Sequence, residues 1–145
     1  MREDSPQVTK ILKTLRLLQL AFLVSIVLYA VLGEAVGPQP RGADPALSYI
    51  FSMVAVGIVG TIFVVRRTLV LQAAASLATR PEDSLSLNHW RTGHIATYVL
   101  CESLALFGLV LRFHGSPLQQ SALYYIGGFV LIAFFGPRLP KPSPS

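Results

Sequence analysis

The chain has 145 residues, 52% of them hydrophobic and only 13% charged, with a mean hydropathy of +0.57. Soluble domains carry about a quarter charged residues, so this balance excludes an ordinary soluble domain and points to one membrane unit with no room for a second. The net charge of +5 is not that of a nucleic-acid binder, because the basic residues bracket apolar runs as topology signals do.

Four apolar runs are expected to span, at residues 15–32, 46–65, 93–111 and 118–135. Each is near the roughly 20 residues that a spanning helix needs. The first run has Lys10, Lys13 and Arg16 at its start and could be mistaken for a signal peptide ending near Gly33 and Ala35. Its apolar core is longer than the usual 7–15 residues, so it is read as a retained helix. Gly and Pro breakers follow it, with Glu34 and Asp44 expected to be solvated.

The second run carries Gly57 and Gly60 as packing glycines. A basic segment, residues 66–91, is expected to form a partly helical cytoplasmic loop that could touch anionic headgroups or a soluble partner. The third and fourth runs are joined by a short stretch ending in Pro117, so they are antiparallel neighbours. Trp90 with Arg91, and Tyr124 with Tyr125, read as interface anchors, and Gly127 and Gly128 as close-packing positions. Residues 138–145 are Pro/Ser-rich and expected to be disordered.

Ten basic residues fall on one side of this arrangement: Arg2, Lys10, Lys13, Arg16, Arg66, Arg67, Arg80, Arg91, Arg138 and Lys141. Arg41 and Arg112 fall on the other. The excess places both termini and the 66–91 segment in the cytoplasm of a bacterial-type inner membrane. The expected fold is all-α, a polytopic bundle of four antiparallel transmembrane helices.

Glu102 is the carboxylate of the third run, with Arg91 and Arg112 flanking it. At about 1.5 Å per residue it lies about 16 Å from either flank, near the middle of a core about 30 Å thick. An ionisable group there is costly and is a functional hypothesis by default, because desolvation disfavours its charged form. On a helical projection Gly93, Thr97, Cys101, Ala105 and Gly108 form a stripe of small residues that admits a close helix partner. Glu102 lies beside that stripe, with Tyr98 one turn and His94 two turns before it. Ser103, Tyr98 or a carbonyl could bond the carboxyl, and His94 could belong to a proton path.

Residues 102–110 read ESLALFGLV, and residues 72–83 read QAAASLATRPED. The first resembles the ion-carrying helix of the rotary ATP synthase c subunit, a carboxylate followed by a small-apolar run and an aromatic-Gly-Leu-Val step. The second is similar to the polar loop of that family, with Thr79, Arg80, Pro81 and Glu82 in the turn. The resemblance covers about Ala73 to Leu111, inside an otherwise unrecognised four-span chain. It implies that Glu102 carries an ion, with Ser103 and Tyr98 in the site. Sodium-binding members present an amide from the partner helix. The second run has no Asn, Gln, Asp or Glu, so a proton is expected here.

The histidines, His89, His94 and His114, leave the other three runs without a ligand for a two-helix haem. No metal site, cofactor or catalytic constellation is expected. Cys101, the single cysteine, cannot form an internal disulfide. Three function classes stand: a proton-binding subunit of an oligomer, a non-catalytic accessory or assembly subunit with Glu102 as structural glue, and, last, a small transporter. The expected partners are the lipid bilayer and either further copies of the chain or other membrane subunits.

Overall fold

A computed structural model describes residues 6–37, 44–80 and 83–138. The described chain is all-helical: α1 (Pro6–Val36), α2 (Pro45–Val65), α3 (Gln72–Thr79), α4 (Ser84–Phe113) and α5 (Leu118–Phe134). Three helices are long and apolar enough to cross a membrane, Pro6–Val36, Pro45–Thr79 and Ser84–Phe113, and α5 is a shorter apolar helix. Their length and composition suggest a multi-pass membrane protein.

The sequence explains where these helices start and stop. Asp44 caps α2, its Oδ1 accepting from the Ala46 amide at 3.0 Å, and Pro45 opens the first turn. No breaker follows Val65, so the helix continues through a π-helical turn (Arg66–Leu71) into α3. Arg80 leaves the helix at φ −133° and ψ 81°, outside the α region that a following proline disfavours. The 66–91 segment is therefore mostly helix, with a break near Arg80 and Asp83 where α3 ends and α4 begins. Pro81 and Glu82, which complete the expected turn, lie outside the described residues, as do residues 139–145 of the tail. At the far end of α4, the Ser116 amide donates to Leu111 O at 3.0 Å and the Gly115 amide to Arg112 O at 3.1 Å. This Schellman closure needs a left-handed residue, and Gly115 takes φ 87°. Pro117 then precedes α5.

Asp83 caps α4: its Oδ1 accepts from the Leu85 amide at 3.3 Å and its Oδ2 from the Ser86 hydroxyl at 2.5 Å. The Ser86 hydrogen bond chiefly, then the amides of Leu85 and Ser86 and nearby Arg80, hold the Asp83 carboxyl below its ordinary value. Its folded value is lower than its unfolded one, so the cap's contribution is complete above about pH 4 and lost as pH falls through the folded value. In thermal melts, Asp83→Ala is expected to be less stable than the parent at pH 7, with the gap closing at low pH. Asp83→Asn retains an equally good neutral cap and should melt with weaker acid dependence. A gap for Asp83→Ala that is the same at pH 3 and pH 7 would contradict this.

The long helix α4 is the hub, packing against α1, α2, α3 and α5, while α1 also meets α5. At the end nearest α3, Val8, Leu12 and Leu15 of α1 join Val70, Ala73, Leu77, Leu87 and Trp90 in one apolar cluster. The middle cluster joins Ile26, Ile62, Tyr98, Cys101, Ala105, Tyr125 and Ile132. At the far end Leu104, Leu111 and Tyr124 pack with Leu47, Phe51 and Phe107. Outward faces are apolar as well: Leu17, Leu20, Val27 and Leu28 of α1 and Tyr49, Met53, Val56 and Phe63 of α2 are all more than half exposed. A surface of that kind suits lipid or other helices rather than water.

Close helix approach depends on specific glycines. A Cβ on Gly128 of α5 would stand 2.7 Å from Cys101 O and 3.2 Å from Ala105 Cβ. One on Gly108 of α4 would stand 2.8 Å from Ser121 O. One on Gly93 would meet Val70 Cγ2 at 2.7 Å and Leu69 Cβ at 2.9 Å. The small stripe of α4 thus has partners within the chain: α5 at Cys101, Ala105 and Gly108, and the π-helical turn at Gly93. Thr97 on the same stripe is fully buried and donates its hydroxyl to Gly93 O at 2.8 Å.

Several sequence expectations are corrected. Gly57 and Gly60 face outward with nothing within 4 Å of an added Cβ, because α2 turns another face to α4. Trp90 is 1% exposed and Tyr124 and Tyr125 are buried, so they are core residues rather than interface anchors. The reason is helix length: α4 starts at Ser84, which puts Trp90 well inside the helix rather than at its edge. Glu34 is exposed, as expected, and also has a partner. It accepts from Arg112 Nε at 2.7 Å, and the Arg112 side chain is 8% exposed, so the two tie α1 to α4.

Candidate functional site

Glu102 projects from the middle of α4 toward α1 and is half-buried. Its Oε1 accepts from Ser25 Oγ at 2.8 Å and from Tyr29 Oη at 2.7 Å. Ser25 and Tyr29 are four residues apart on α1, so one helix face presents both hydroxyls to the same oxygen. Among the described residues no hydrogen bond reaches Oε2 and no cation lies on the carboxyl. The site is therefore a carboxyl with one oxygen held by two hydroxyls and the other without a partner among the described residues.

The other predicted site residues do not converge on it. Ser103 donates its hydroxyl to Val99 O at 2.9 Å, within its own helix. Tyr98 is fully buried, its hydroxyl without a partner among the described residues, and its ring lies 6.1 Å from both Phe22 and His94. His94 is 2% exposed, stands edge-on to Trp90 at 5.1 Å, and has an unpartnered Nδ1. Two helical turns separate it from Glu102, about 12 Å along the axis, and no described hydrogen bond links them. Arg80 closes α3, its amide donating to Ser76 O at 2.9 Å. Among the described residues no three of His, Cys, Asp and Glu lie close enough to hold a metal ion.

Ser25 and Tyr29 were missed from the sequence, although a signal for them exists. Within the first apolar run Gln19, Ser25 and Tyr29 are the uncharged hydrogen-bonding side chains, and all three turn inward. Gln19 Nε2 donates to Ile132 O of α5 at 2.9 Å, and the two hydroxyls reach Glu102. Polar groups in an apolar helix turn toward polar partners because lipid offers none. The helix that serves Glu102 lies outside residues 73–111.

On the far side of α4, a cleft of about 480 Å³ separates α2 from α5, lined by Ala55, Val59, Leu104 and Leu123. The Ser52 and Tyr124 hydroxyls meet across it at 3.1 Å.

No family model, curated protein or solved structure matches this chain.

Proposed function

We propose that this protein is a small multi-pass subunit of a bacterial-type inner membrane that binds and releases a proton at Glu102 as part of an oligomer. Both termini and the 66–91 segment lie on the cytoplasmic side in this reading, which the distribution of Lys and Arg supports. The observation that carries it is the state of the carboxyl: half-buried, gripped at Oε1 by two hydroxyls, and open at Oε2. A half-exposed carboxyl within an apolar helix is costly in bare lipid, so a neighbouring subunit or a water path has reason to lie against it. The resemblance of residues 73–111 to a c-subunit hairpin supports the same reading.

One observation favours a second reading. Both donors to Glu102 come from the same chain, so the carboxyl also clasps α1 to α4. In that reading the protein is an accessory or assembly subunit, and Glu102 is structural.

Carbodiimide labelling in native membranes, mapped by mass spectrometry from pH 5 to 9, separates the two. These reagents attack protonated carboxyls in apolar surroundings. Proton binding and release predicts labelling at Glu102 that declines as pH rises, is absent in Glu102→Gln, and occurs in an oligomer by native mass spectrometry. A folded protein left unlabelled at every pH would rule proton exchange out and leave the structural clasp.

A further inference from the structure

A second cavity, mostly apolar in its lining but carrying basic groups, lies away from Glu102, at the end of the bundle where α3 meets α4. It encloses about 320 Å³ and is lined by Arg66 of the π-helical turn, Trp90 and His94 of α4, and Phe135, Gly136 and Arg138 beyond α5. Each element reaches it at one boundary of its apolar stretch, so two guanidiniums and an imidazole converge at one level of the bundle. No described carboxylate lines it.

Two of these groups are left incomplete. Arg66 has a buried Nη1 with no partner among the described residues, and 2%-exposed His94 has an unpartnered Nδ1. Leaving buried polar atoms unpaired is costly, and for a charged group more so, so both groups gain from an acceptor brought beside them. Arg66 is also held in place: its Cζ lies 4.0 Å over the centre of the Phe135 ring. A guanidinium stacked on an aromatic face keeps its edge N–H groups available for oxygen acceptors.

We propose that this cavity binds a phosphate group through Arg66 and Arg138. Net positive charge without a described carboxylate selects an anion. Guanidiniums match the oxygens of phosphate in particular. A phosphate could arrive as the headgroup of an anionic phospholipid or as a soluble phosphate. The rim favours the lipid, because Leu71 and Phe134 beside the opening are 59% and 69% exposed and offer an apolar surface for an acyl chain. Basic pockets between helices at the cytoplasmic side bind headgroups in this way.

The test uses the full chain purified in an uncharged detergent. Phosphatidylglycerol and phosphatidylcholine with the same acyl chains are titrated, and inorganic phosphate separately, with bound lipid read by native mass spectrometry and stability by thermal melting. Preferential binding of phosphatidylglycerol is expected, with apparent affinity about tenfold weaker in Arg138→Gln and weaker still in Arg66→Gln. Arg138 is exposed, so its variant reports even if Arg66→Gln does not fold. Stabilisation by inorganic phosphate that is lost in the variants, without a lipid preference, would assign the site to a soluble phosphate. Equal binding of the two lipids together with no effect of phosphate would overturn the proposal. So would a preference for phosphatidylglycerol that both variants retain in full.

Discussion

Gly128→Leu is expected to destabilise the bundle by about 1–3 kcal/mol or more, whereas Gly57→Ala and Gly60→Ala on α2 should be neutral or stabilising by up to about 1 kcal/mol. The difference lies in what the new side chain meets. At Gly128 even the first carbon would stand 2.7 Å from Cys101 O, a backbone atom that cannot rotate away, and Ala105 closes the other side. Accommodating a leucine there means moving α5 off α4, the pair that buries Cys101, Ala105 and Tyr125. At Gly57 and Gly60 an added carbon meets nothing within 4 Å, so the change acts through helix propensity. Reversible unfolding in mixed micelles measures both. Comparable losses at Gly128 and Gly57 would mean that the close α4–α5 approach does not set stability. The same comparison bears on assembly: a loss at Gly57 or Gly60 that depends on protein concentration would place a second copy against α2.

The second large effect is at the Glu102 clasp. Tyr29→Phe removes one of the two donors to Oε1 and should cost about 1–2 kcal/mol, with Ser25→Ala somewhat less. Hydrogen bonds between membrane helices average less than this, about 0.6 kcal/mol, so the larger figure depends on a charged acceptor. The coupling is therefore the informative quantity. In a Glu102→Leu background the acceptor is gone, and Tyr29→Phe should cost almost nothing. A double-mutant cycle reads the pair directly. If Tyr29→Phe cost as much without Glu102 as with it, the hydroxyl would be stabilising something else. The result also bears on function: a clasp worth several kcal/mol favours the structural reading, and a weak one leaves the carboxyl freer to exchange its proton.

Much of the candidate site is legible in the amino-acid sequence. Glu102 stands out because a carboxylate within an apolar run violates the local pattern, and the pattern is read along the chain without reference to neighbours. The small stripe from Gly93 to Gly108 is legible in the same way, since 3.6 residues per turn fixes which side chains share a face. The partner of each face is not. Ser103 and Tyr98 are the ligands that nearness in sequence suggests, yet Ser103 turns to its own helix and Tyr98 to Phe22 and His94. The hydroxyls that reach Glu102 lie more than seventy positions earlier.

The aromatic residues show the same limit. Trp90, Tyr124 and Tyr125 near the ends of apolar runs carry the composition of an interface belt, but composition does not reveal how far a helix extends beyond its apolar part. Polar residues at Ser84, Ser86 and Asn88 end the hydropathy signal while the backbone hydrogen bonds of α4 continue through them. Burial follows the helix, so Trp90 is enclosed by α1 and α3.

By itself the sequence determined the helical class, the apolar segments, the charge asymmetry and the one costly carboxylate. These are sums over adjacent residues, and adjacency is all that a sequence contains. Tertiary structure decided which glycines are filled by a neighbour, that Arg112 and Glu34 are partners, and that α1 supplies the oxygen ligands of Glu102. Those outcomes depend on the rotation of each helix about its own axis, and that rotation is set by the joint packing of α1, α2 and α5 around α4.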